Sequence, residues 1–167
     1  YYSFEYSDKQ DGKLIIKKEI KYVHVYNKEE NKVSSFKFNK EIVKDIYENE
    51  QILKNAYRVK TDYIILKQYG INAKNMMYDA KIAAYLLNSD SRQYTLEDIS
   101  RLYLDLELVE YNQVEEKEEQ TSLFDMAIED SSESQAKANF TNALYAYVIG
   151  KSKDVLVSDL QKIGSLK

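Results

Sequence analysis

The chain has 167 residues, 44% hydrophobic and 31% charged, with a formal charge of −4, enough for one soluble globular domain with its own core. It has no cysteine and a single histidine, His24, which excludes a disulfide framework, a thiolate metal site and a multi-histidine metal site. No apolar run approaches the ~20 residues of a membrane helix and no signal peptide is visible, so a cytoplasmic protein without a membrane partner is expected.

In chain order, YYSFEYS (Tyr1 to Ser7) alternates with Tyr2, Phe4 and Tyr6 on one face and reads as a strand. Asp11-Gly12 signals a turn. Lys13 to Asn27 is rich in Ile, Val and Tyr and reads as extended, Glu29 to Lys32 as a turn, and Val33 to Phe38 as another strand. The opening is therefore an antiparallel meander of about three strands. Asn39 is placed to cap a helix that turns Ile42, Val43, Ile46 and Tyr47 to one side. A short strand is expected over Ala56 to Val59, then a helix from Thr61 to Tyr69 that Gly70 stops.

Met76 to Tyr78 reads as a short buried strand. Asp79 to Leu87 reads as a helix with Ile82, Ala83, Leu86 and Leu87 inward. Thr95-Leu96-Glu97-Asp98 has the form of a capping box, so Glu97 and Asp98 belong to a helix start whose apolar stripe is Leu96, Ile99, Leu102 and Tyr103. Val109 to Gln135 holds nine acids and one base, Lys117, and leaves the remainder at about +4. That segment has no clear period, and 109–134 is expected to be a mobile acidic linker. Helices resume over Ser134 to Ile149 and Lys153 to Ile163, separated by Gly150. The 16 tyrosines accompany abundant Lys, Asn and Ile, the usage of AT-rich coding DNA, and do not by themselves mark a base-stacking surface.

Three strands followed by helices and short strands make an α/β domain. The blocks AYRVKTDYIILKQYG, YDAKIAAYLLNS and YTLEDISRLYLDLEL, in that order, resemble the 3′–5′ exonuclease domain of bacterial DNA polymerase I, a family A polymerase. The likeness is best from Ala56 to Leu108. It implies a ribonuclease-H-like fold over a single exonuclease-like domain, 1–167. The end, Leu160 to Lys167, is similar to the helix leading into the polymerase domain, so a piece of a longer polymerase chain is expected. The implied partners are that polymerase domain and DNA, the latter contacted weakly or indirectly.

Such exonucleases hold two divalent ions ~3.5–4 Å apart, which requires several converging carboxylates. The resemblance places these on an Asp-x-Glu strand, at the end of Asn-x-x-x-Asp, and in a late Tyr-x-x-x-Asp. Here the strand offers Glu5 and, at the Glu position, Ser7; Asp8 would point to the other face of the strand. The second block keeps Asp62, but Arg58 stands at its Asn position and is expected to compete with a metal for Asp62. The last block is best read with Ala138 at the Tyr position and Asn142 at the Asp position, with Tyr145 and Tyr147 at the wrong offset. With one acid clean and one altered, these positions read as vestigial, and no metal cofactor is expected. The alternative is an active Mg²⁺- or Mn²⁺-dependent proofreading exonuclease using Glu5, Asp62 and a further acid.

Two acids and the histidine take structural readings. Asp79, at the head of its helix, is read as a cap and not a catalytic group. Asp62 is favoured near its own helix N-terminus by the dipole. His24 sits in a Val-rich strand with no partner triad and is read as structural. A second signal lies in the acidic segment. Gln120-Thr121-Ser122-Leu123-Phe124 resembles the peptide by which bacterial proteins dock on the replication sliding clamp. Gln120 would fix register while Leu123 and Phe124 fill a hydrophobic pocket. The competing reading has Leu123, Phe124, Met126 and Ile128 packing back on the domain.

Overall fold

The structure, a computed structural model, describes residues 1–11, 15–91, 93–108 and 133–164. The acidic segment 109–132, and with it the 120–124 peptide, lies outside the described residues, as does the expected turn at Gly12. The expected meander is present: β1 (Tyr2–Asp11), β2 (Ile15–Asn27) and β3 (Lys32–Lys37) form an antiparallel sheet in the order β1-β2-β3. Tyr2 pairs with Val25 and Phe4 with Val23, and the register then shifts between Glu5 and Tyr6, so that Tyr6 pairs with Ile20. Lys21 is the extra residue of this bulge. The shift allows Ile20 and Val23, three apart, to face the same core, where a regular strand would turn Lys21 inward.

The two faces of the sheet bury different partners. Tyr2, Phe4, Ile20 and Val23 pack with Val43 and Tyr47 of α1 (Lys40–Glu48) and with Ile65 and Leu66 of α2 (Val59–Gln68). On the other face Tyr26 and Val33 meet Ala143 and Ala146 of the last helix. Asn39 caps α1 as expected, its side chain accepting from Glu41 N at 3.0 Å and Ile42 N at 3.2 Å. Ile42, expected inward, is half exposed, because Val43 and Tyr47 define the buried stripe.

The second sheet pairs β4 (Lys54–Ala56) parallel with β5 (Met76–Asp79). The expected strand over 56–59 is corrected: β4 ends at Ala56, and Val59 already begins α2. Gly70 (φ 76°) follows α2 in a Schellman arrangement, with Gly70 N donating to Lys67 O and Ile71 N to Leu66 O, both at 3.0 Å.

α3 (Ala80–Leu87) keeps Ala83 inward and Leu87 packed against the core as expected, but corrects the reading of Ile82 and Leu86. Its buried residues are Ala80, Ala83 and Ala84, while Ile82 and Leu86 are about half exposed. The small side chains let α3 lie close against the last helix, with which it shares a core. α4 (Leu96–Leu104) starts at the expected capping box, formed by Thr95 and Asp98, and buries Leu96 and Ile99 but leaves Leu102 exposed.

The two expected C-terminal helices are one, α5 (Glu133–Lys162). Gly150 does not break it. A Cβ there would lie 2.2 Å from Cδ1 of Tyr26, so the glycine permits a close approach of helix and sheet. Among the described residues no helix is long and apolar enough to cross a membrane.

Candidate functional site

A cavity of about 490 Å³ opens where β1 meets the N-terminal ends of α2 and α4 and the first half of α5. β1 contributes Glu5 and Tyr6, and the α2 end contributes Tyr57, Arg58 and Asp62. The α4 end contributes Glu97. α5 presents Ala138, Asn142, Tyr145 and Ile149, spaced for one helix face. The fold thus gathers Glu5, Asp62, Ala138 and Asn142, four positions widely separated in sequence, around one space. Ser7, past the bulge and paired with Glu19, is not among its lining residues.

Asp62 is 7% exposed. Its Oδ1 accepts a short hydrogen bond from the Tyr6 hydroxyl. The buried Tyr2 hydroxyl acts on the same carboxylate but completes no hydrogen bond of good geometry. Burial raises the Asp62 carboxyl to about 6, against the pull of Tyr6, Tyr2 and Arg58. Burial, and then the charge of Asp62, pushes the Tyr6 hydroxyl well above its ordinary range, so it remains a donor. Arg58 was the expected competitor for Asp62. It acts on the carboxylate through its charge, whereas Tyr6 takes the hydrogen bond.

Glu5 is 8% exposed, and its Oε2 lies 3.9 Å from Nε2 of His24. His24 is fully buried, and burial lowers its pKa to about 4. It is therefore neutral at pH 7, with Nδ1 2.8 Å from Ser35 Oγ. Asn142 turns its amide to its own helix, donating to Ala138 O at 2.9 Å. Tyr145 donates to Oε1 of Glu97 at 2.5 Å. Glu97 was read from sequence only as part of a cap, but the cap is made by Thr95 and Asp98, and Glu97 is left to face the cavity. No local signal identifies that pair, because 48 positions separate its members.

Asp79 is a cap, and it caps twice. Oδ1 accepts from Ile82 N at 3.1 Å in α3, and Oδ2 accepts from Val59 N at 2.9 Å at the start of α2.

The two-ion arrangement implied by the resemblance has a poor donor set here. Asp62 already accepts from Tyr6, position 7 is a serine outside the cavity lining, and position 142 is an amide bonded to its own helix. Among the described residues, no three His, Cys, Asp or Glu side chains are grouped so as to hold a metal ion. This donor set, among the described residues, does not fit a two-metal centre.

The meander, the parallel pair beside it and the flanking helices define a ribonuclease H-like domain. The chain belongs to the family described as DNA polymerase I, ribonuclease H-like domain, whose profile matches residues 15–120. Its fold is also similar to a solved structure from M. smegmatis, the POL domain of Pol1 in complex with DNA primer-template and dNTP. The TM-score is 0.67 at 15% identity, covering 98% of this chain and 24% of that one. The present chain therefore spans about a quarter of the length of that neighbour.

Proposed function

We propose that this domain does not cut DNA and serves as a structural, exonuclease-like part of a polymerase-I-type protein in DNA replication and repair. The observation that carries the reading is the state of Asp62: the retained acid is buried and accepts a hydrogen bond from Tyr6. A carboxylate so held is a poor ligand for a hard cation, which needs several free oxygens. Glu5, Ser7 and Asn142 complete a set of vestigial positions, so the domain itself uses no metal cofactor. A structural role is supported by an apolar groove of about 770 Å³ beside α3 and the end of α5, lined by Leu53, Met77, Ile82 and Leu86. All four are substantially exposed, an arrangement suited to packing against another domain. A polymerase domain of the same chain is the partner this reading supplies, with DNA contacted weakly or indirectly.

A second reading has one observation in its favour: Glu5, Asp62 and Glu97 line the same cavity. Incubation of 3′-end-labelled single-stranded DNA with Mg²⁺ and then Mn²⁺ separates the two. The structural reading predicts intact label with both ions. Metal-dependent loss of 3′ nucleotides that disappears in the Asp62→Ala variant would establish a working exonuclease.

A further inference from the structure

The two sheets meet at a seam. β1 packs against β4, yet the described ladders form two separate sheets, β1-β2-β3 and β4-β5. Among the described residues, backbone hydrogen bonds of the ladder type do not join the halves, and side-chain hydrogen bonds cross between them beside the shared apolar core. The Tyr6–Asp62 bond runs from the first sheet to the helix that follows β4, across 56 positions of sequence. A second tie lies nearby: Ile20 N, opposite Tyr6 beside the bulge, donates to the Tyr69 hydroxyl at 3.1 Å.

We propose that the Tyr6–Asp62 hydrogen bond is a structural clasp that closes this seam without a metal ion. A tyrosine suits the task for three reasons. Its ring packs on the core shared by β1, α1 and α2, its centroid 5.9 Å from that of Phe4 in an edge-type arrangement. Its hydroxyl reaches the carboxylate from the sheet side. The bond to a buried charge is strong, because water is excluded from competing for it. The bulge contributes by setting Tyr6 opposite Ile20, so that the ring lies on an apolar neighbour of the same face.

The clasp is distinct from the loss of nuclease activity and is tested by stability. Urea unfolding is measured for the wild-type chain, Tyr6→Phe, Asp62→Leu and the double variant, each with Mg²⁺ and with EDTA. Tyr6→Phe keeps the ring and removes only the hydroxyl. It is expected to raise the unfolding equilibrium constant roughly ten- to a hundredfold. In the Asp62→Leu background the same change is expected to raise it less than about threefold, since the hydroxyl then has no carboxylate to meet. Exchange of Mg²⁺ for EDTA is expected to leave the wild-type midpoint unchanged. Equal effects of Tyr6→Phe in both backgrounds, or no effect in the wild type, would overturn the clasp and leave the reading of a non-cutting domain in place. Stabilisation of the wild type by Mg²⁺ that vanishes on Asp62→Leu would overturn both. If Asp62→Leu does not fold, the Tyr6→Phe and metal comparisons still decide.

Discussion

Asp79 and Val59, twenty residues apart, are joined by a 2.9 Å hydrogen bond from the Val59 amide to the Asp79 carboxylate. The other oxygen of the same carboxylate accepts from Ile82 N. One acid thus satisfies an orphan donor at the start of α2 and another at the start of α3. A single N-cap is worth about 1 kcal/mol. Asp79→Ala is therefore expected to destabilise the chain by about 2 kcal/mol, read by urea unfolding, with Asp79→Asn costing less because the amide oxygen still accepts. A loss no larger than that of Asn39→Ala, which removes a cap from α1 alone, would contradict the double role.

Gly150 gives a prediction whose sign opposes propensity. In an exposed helix interior, Gly→Ala stabilises by about 1 kcal/mol. Here the added methyl would meet the Tyr26 ring at 2.2 Å. Gly150→Ala is expected to lower stability by about 1–3 kcal/mol through overpacking, seen as a lower thermal midpoint. An increase in the midpoint would mean that helix and sheet are not held this closely.

These two positions show what was legible beforehand. Asn39, Thr95 with Asp98, Gly70 and the bond of Asp79 to Ile82 N act locally, and local chemistry identifies them as caps and stops; the second bond of Asp79, to Val59 N twenty positions away, is not legible in that way. The meander was legible from the alternation of Tyr2, Phe4 and Tyr6. Gly150 was misread because its partner Tyr26 lies in another strand, and an isolated glycine looks the same in a break and in a close contact. The Tyr6–Asp62 and Glu97–Tyr145 pairs escaped for the same reason: each joins elements that only the tertiary fold brings together. The family resemblance located the positions of the cleft, but not what each side chain there touches.

The exposure of Ile82 and Leu86 on α3 can be checked directly. Ile82 and Leu86 lie about half exposed beside a groove, and Ala84 is 1% exposed against α5. Ile82→Gln and Leu86→Gln are each expected to change stability of this chain by less than about 1 kcal/mol. Ala84→Leu is expected to cost several times more, by forcing the two helices apart. Equal costs would restore the sequence-based assignment of the buried face.

Two buried groups respond to pH with opposite signs. Asp62 has a folded-state value of about 6 against an ordinary 3.8, so the folded chain binds this proton more tightly than the unfolded one. Stability from this site is gained as pH falls through 6 towards 3.8. It is faced by Tyr2 and Tyr6 from β1, Tyr47 from α1, Arg58 at the start of α2 and Asp79 at the end of β5. His24 has a folded value of about 4 against 6.5, so the unfolded chain binds the proton more tightly and stability is lost as pH falls from 6.5 towards 4. Each effect is about 3 kcal/mol in full, and in the wild type they largely offset. Asp62→Asn removes the gain and is expected to make the fall in stability from pH 7 to pH 4.5 steeper by about 2 kcal/mol. His24→Gln is expected to do the reverse. Parallel pH profiles for all three proteins would refute the assignment.

The central claim is that Asp62 is occupied by Tyr6 and is not offered to a metal. Electron paramagnetic resonance of a Mn²⁺ titration tests it most directly, with Asp62→Ala as the control. The expected result is free-ion signal throughout the micromolar range, the same for both proteins. A saturable site that silences one or two Mn²⁺ per chain, and is lost in Asp62→Ala, would contradict the account and return the cleft to the metal-dependent nucleases.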